Sequence, residues 1–128
     1  MEPKIVIVDD EVHIRALLEQ SLEELEEDFG VEILTAENGQ EGLDLVKEIR
    51  PNLVLLDVMM PAMNGYDVCR SIREDPNLKD VIVILLTAKG QEADREQGVQ
   101  VGANRYLTKP FDPDELLDIA KELLGLDS

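Results

Sequence analysis

The chain has 128 residues, with 29 Asp plus Glu against 12 Lys plus Arg and a formal charge of −17. That length suits one domain over residues 1–128, able to bury roughly two-thirds of the unfolded chain's surface. The charge argues against a nucleic-acid binder or a ligand of anionic membranes, which need clustered Lys and Arg, and the 44% hydrophobic share in periodic runs excludes a disordered acidic tail.

Read from its start, Met1-Glu2-Pro3-Lys4 lacks the basic region and apolar stretch of a secretory signal. Ile5-Val6-Ile7-Val8 predicts a buried strand, and Ile14, Leu17, Leu18, Leu22 and Leu25 then form the apolar stripe of a helix whose glutamates face away. Val31 to Ala36 alternates partially and fits a strand near an edge. Leu45, Val46 and Ile49 mark a second helix, Leu53-Val54-Leu55-Leu56 a third strand, and Val68, Cys69 and Ile72 a third helix. Val81 to Leu86, the longest apolar run, is a fourth strand and far shorter than the ~20 residues of a membrane span. Gln91 to Gln100 offers little stripe and reads as a loosely held fourth helix, followed by a short strand at Tyr106-Leu107. Asp112 as N-cap, Pro113 at the first helical position and Glu115 at N3 open the last helix.

The order is βα repeated five times, with near-continuous apolar strands. That predicts an α/β fold whose parallel sheet is covered on both faces, doubly wound because a barrel needs eight such units. In such sheets ligands bind beyond the carboxyl ends of the strands. Those ends deliver Asp9-Asp10-Glu11, Asp57, Thr87 and Thr108-Lys109-Pro110 to one rim, while the second strand ends less pointedly in Ala36-Glu37-Asn38. Taken singly, Asp9 or Asp10 serves as well for a helix cap, Asp57 for a turn, Thr87 for a loop hydroxyl and Lys109 for a surface charge. Their joint placement favours a site. Two carboxylates about 5 Å apart repel by roughly 3 kcal/mol at an effective dielectric near 20, so three of them call for a cation. All-oxygen ligation favours a hard ion, Mg²⁺ above all, and Lys109 and Thr87 add a charge and a donor for a phosphoryl group.

These residues, with Val58-Met59-Met60-Pro61 and Asn64-Gly65 after Asp57, Thr87-Ala88, and Tyr106-Leu107-Thr108-Lys109-Pro110-Phe111, resemble the receiver domain of two-component response regulators from about Lys4 to Leu124. The resemblance implies a five-stranded (βα)5 sheet of order 2-1-3-4-5. It implies Asp57 as phosphoacceptor from a histidine kinase or phosphotransfer protein docking near the first helix. Mg²⁺ would be held by Asp10, Asp57, the Met59 carbonyl and, through water, Asp9. Lys109 would bind a phosphoryl oxygen, with a cis bond to Pro110, while Pro61 and Gly65 would shape the loop beneath the metal. Thr87 and Tyr106 would switch a target-binding face made of the fourth helix, fifth strand and last helix, with phosphorylation-dependent dimerisation of the monomer a further outcome. Asn104-Arg105 departs from the small or acidic residues common before the aromatic, which points to an altered output surface. Lys89 and Met59 stand where relatives tune the access of hydrolytic water.

Catalysis would be limited to the chain's own phosphorylation and dephosphorylation, in a stand-alone cytoplasmic signalling or phosphorelay protein without direct nucleic-acid contact, or in a receiver cut from a larger regulator. The competing class is a Mg²⁺-dependent phosphohydrolase with an aspartate nucleophile. It is disfavoured because haloacid-dehalogenase-like enzymes carry the nucleophile after the first strand and a second Asp two positions on, where this chain has Met59 after Asp57. Cys69 reads as a reduced core thiol and His13 as solvent-exposed.

Overall fold

In the computed structural model, described over residues 3–88 and 100–126, five parallel strands run in the order β2-β1-β3-β4-β5. They are β1 Lys4–Val8, β2 Glu32–Ala36, β3 Leu53–Asp57, β4 Ile82–Ala88 and β5 Arg105–Lys109. The helices are α1 Val12–Ser21, α2 Glu23–Phe29, α3 Gly39–Ile49, α4 Gly65–Glu74 and α5 Pro113–Leu124, with a 3-10 turn at Pro76–Leu78. The helix expected over Gln91 to Gln100, and Lys89, lie outside the described residues apart from Gln100 itself, which is helical.

Alternation along the strands builds two cores. Ile5, Ile7, Leu53, Leu55, Ile84, Leu86 and Leu107 face α1, α2 and α5, meeting Leu18, Leu22, Leu25, Leu116 and Ala120. Val6, Val8, Val54, Leu56, Val83 and Leu85 face α3 and α4, meeting Leu43, Val46, Val68, Cys69 and Ile72. Each such side chain, fully buried, contributes about 1.5–3 kcal/mol, and both faces being covered accounts for the uninterrupted apolar strands.

The first helical stripe is corrected in two respects. Leu17 is 40% exposed, and the helix is broken at Leu22, where φ is −105° and ψ 8°. The Ser21 hydroxyl donates to the Leu17 carbonyl at 2.7 Å, and the Leu22 N–H divides between the Leu18 and Glu19 carbonyls. Such back-bonding favours a break in the helix, and Leu25 beyond it is fully buried, as the stripe predicts. At the other end, Asp112 accepts the Asp114 N–H at 2.9 Å and Pro113 follows at the first helical position. Lys121 of α5 ties back to α2 through Glu24 and lies over the Phe29 ring, 5.9 Å from its centroid.

The fourth and fifth strands run further than their apolar cores indicate. Pairing of Asp57 with Leu86, Thr87 with Thr108 and Ala88 with Lys109 makes the polar residues the final rungs of the ladder. The site therefore stands on sheet backbone.

Candidate functional site

Asp9, Asp57 and Lys109 share the strand parity of Ile7, Leu55 and Leu107, so their side chains leave the sheet on one face. Lys109 Nζ lies 3.0 Å from Asp57 Oδ1 and 3.3 Å from Asp9 Oδ2. The Met59 N–H also donates to Asp57 Oδ1, at 3.3 Å. Asp9 does not cap a helix through the usual position; its Oδ1 accepts the Glu11 N–H at 2.9 Å, while Glu11 is the N-cap residue of α1 and makes no side-chain cap bond. Asp10 is exposed beside them, and the three aspartates bring carboxylate oxygens within 4.8 Å of one another.

Burial raises the Asp57 carboxyl to about 6, with the Asp9 charge adding to it and the Lys109 hydrogen bond opposing. Burial raises Asp9 as well, against the Glu11 N–H and the Lys109 charge. Burial alone would lower Lys109, but its hydrogen bond and attraction to Asp57, and then to Asp9, outweigh this and hold the ammonium above its ordinary value. One ammonium thus meets two carboxylates almost without water, with the exposed Asp10 carboxylate beside them. An oxygen-only donor set that is short of positive charge fits a hard divalent cation such as Mg²⁺.

Thr87, 3% exposed, is the penultimate residue of β4, and Tyr106 is half-buried against the Val83 and Leu85 face. The Lys109–Pro110 peptide bond is cis. Met59 is 63% exposed. Cys69 is buried, its thiol pushed up to about 11 by burial, and its Sγ donates to the Val101 carbonyl at 3.4 Å. His13 is exposed.

Two supports were not read from the chain. Arg15 Nη1 donates to the Asp9 carbonyl at 2.7 Å and Nη2 lies 3.8 Å from Glu37, which fastens the loop bearing the aspartates. Nothing in the local pattern signals this. Under the Asp57 loop, Asn64 and Asp67 form a reciprocal capping box at the start of α4. Its spacing was visible in the sequence.

The family model of the response regulator receiver domain matches residues 5–121, a span that includes the strands and the acidic rim just described. The chain belongs to this family. The receiver is 46% identical over 123 residues to the transcriptional regulatory protein ResD of Bacillus subtilis (strain 168), covering 96% of this chain and 48% of that protein. Among solved structures, the chemotaxis response regulator CheY4 of Vibrio cholerae superposes with a TM-score of 0.84 at 30% identity, covering 96% of this chain and 99% of the other. The receiver domain of the sensor histidine kinase PA1611 of Pseudomonas aeruginosa PAO1, with a magnesium ion coordinated in its active-site cleft, gives 0.85 at 30% identity over 98% and 99%. The chain spans about half the length of the curated relatives it matches. Those relatives are named transcriptional regulators. The acidic charge therefore describes the receiver and does not carry over to a longer protein's contacts with nucleic acid. No helix among the described residues is long and apolar enough to cross a membrane.

Proposed function

We propose that residues 1–128 act as a phosphorylation-dependent switch in which Asp57 takes a phosphoryl group from the phosphohistidine of a histidine kinase or phosphotransfer protein. The observation that carries this reading is the Lys109 ammonium set between two buried carboxylates, 3.0 Å from Asp57 and 3.3 Å from Asp9. A carboxylate oxygen of Asp57 attacks phosphorus, the bond to the donor imidazole breaks, and the imidazole leaves with the bonding pair. Asp57 attacks as the carboxylate, so the proton that burial favours must be absent, and the Lys109 and Met59 donors help hold that charged form. Lys109 then binds a phosphoryl oxygen and the Thr87 hydroxyl donates to another. Asp10, Asp57 and the Met59 carbonyl would hold Mg²⁺, with Asp9 acting through water; bound there, the ion supplies charge neutralisation between nucleophile and phosphoryl oxygens.

Movement of Thr87 toward the phosphoryl group draws Tyr106 inward and changes the face that a downstream protein reads, in a monomer or a phosphorylation-dependent dimer. The receiver acts on its own phosphate only. The residue two after Asp57 is the exposed Met59, with no acid to serve a leaving group.

Incubation with acetyl phosphate and Mg²⁺ tests this reading by intact-mass measurement. One phosphoryl adduct is expected, and none in Asp57→Asn. Equal labelling of that variant would remove Asp57 from the role, and sustained release of phosphate from small phosphomonoesters would favour the hydrolase.

A further inference from the structure

β5 is an edge strand whose own pattern specifies its register weakly. Of Arg105–Lys109 only Leu107 is buried, and the other four are half-exposed. A slip of one residue would present Thr108 in place of Lys109 to the aspartates. The register is pinned at the root of the strand instead. Asn104 bonds Val83 of β4 twice: its N–H donates to the Val83 carbonyl at 2.9 Å, and its side-chain Oδ1 accepts the Val83 N–H at 2.8 Å. The backbone has turned aside at Gly102, where φ is +88°, and the Asn104 amide supplies the acceptor that a continuing strand would offer.

Arg73, in the last turn of α4, holds that amide in place. Its Nη2 donates to the same Asn104 Oδ1 at 2.7 Å and its Nε to the Gly102 carbonyl at 2.8 Å. The contact is close enough that a Cβ on Gly102 would stand 2.9 Å from Arg73 Cγ. One turn back, the Cys69 thiol reaches the Val101 carbonyl. The opposite end of α4 rests on the Asp57 loop: the Gly65 N–H donates to the Val58 carbonyl, and a Cβ on Gly65 would lie 2.6 Å from the Asp57 carbonyl oxygen. One helix therefore holds both the strand that ends in Asp57 and the root of the strand that ends in Lys109.

We propose that Arg73, acting through Asn104, is a positioning residue of the acidic site: it sets the register of β5 and so places Lys109 between Asp57 and Asp9. The kinetic consequence rests on Asp57 being the phosphoacceptor; the placement of Lys109 does not. A double-mutant cycle separates this role from a general loss of structure. Arg73→Met is expected to slow labelling from acetyl phosphate by between about tenfold and a hundredfold, the upper figure being what a 1 Å misplacement by a remote mutation can cost. In the Lys109→Ala background the same change is expected to add nothing. Arg73→Lys, which keeps an ammonium for the two oxygens, restores most of the rate. Asn104→Ala breaks the latch from the other side and is expected to repeat the pattern if Arg73→Met does not fold.

A second readout needs no phosphate. The ¹⁵Nζ resonance of Lys109, identified by its loss in Lys109→Ala, is expected to shift toward that of free lysine in Arg73→Met or Asn104→Ala. A resonance unmoved in both variants, or equal slowing with and without Lys109, overturns the proposal. If the unaltered protein takes no phosphate at all, the phosphoacceptor reading fails, and the ¹⁵Nζ resonance alone then decides the latch.

Discussion

Asp57 occupies a position where its chemistry and its stability pull in opposite directions. The pocket is nearly dry and the carboxyl is raised to about 6 by that burial, whereas the nucleophilic role proposed for it requires the ionised form. Because the folded value lies above the unfolded one, the contribution of Asp57 to stability is complete below about pH 4 and is lost as pH rises through 6. In metal-free protein, ionising the buried group costs about 2–3 kcal/mol. Asp57→Asn is therefore expected to be more stable than the unaltered chain by that amount at pH 8, with the difference closing near pH 4. Urea denaturation in chelator at the two pH values measures it, and a difference that widens toward low pH would contradict the assigned sign. Lys109→Ala should still accept phosphate, but more slowly, and without the change proposed at Tyr106. Tyrosine fluorescence on phosphorylation, compared with that of Tyr106→Phe, reads the second effect.

The elements place these side chains through close backbone approach. α4 starts directly beneath the Asp57 strand end, where Gly65 leaves no room for a side chain against the Asp57 carbonyl oxygen. The obstruction is backbone, so it cannot swing aside. Gly65→Ala is expected to lower stability by about 1–3 kcal/mol, the usual range for overpacking, and to slow labelling of Asp57 as the loop is displaced. Urea midpoints and intact-mass time courses check the two effects separately. Removing the cap with Asn64→Ala should cost about 1 kcal/mol without the same kinetic loss, because it loosens the helix end but inserts nothing against Asp57. Much at this scale was legible. The four clearest strands appeared as apolar runs, α5 through Asp112 and Pro113, and the α4 face through Val68, Cys69 and Ile72. The break at Leu22 was not, because the apolar spacing passes through it unchanged and the cause is a hydroxyl turned onto its own backbone. The ends of β4 and β5 were also understated, since Thr87 and Lys109 are polar residues held in strand by ladder pairing.

At the scale of the molecule, 29 acidic residues stand against 12 basic ones, and folding gathers three of the acids, Asp9, Asp10 and Asp57, into one cluster that a cation could neutralise. A ligand that binds only the folded form adds about 2.7 kcal/mol when present at a hundred times its dissociation constant. Magnesium chloride is therefore expected to raise the melting temperature relative to chelator, and to do so less in Asp10→Asn. An equal gain in that variant would take Asp10 out of the proposed ligand set. Fold class, the covering of both sheet faces and the gathering of Asp9, Asp10, Asp57, Thr87 and Lys109 at one rim were determined by the sequence alone, because hydrophobic period and strand-end position are local properties of the chain. The strand order entered only through the family resemblance. Tertiary structure decided which partner each polar group meets: Lys109 between two carboxylates, Arg15 on the Asp9 carbonyl, and Arg73 on Asn104. Those pairings join residues that lie far apart along the chain or depend on how the backbone turns, and no local pattern records which of many charged side chains will meet.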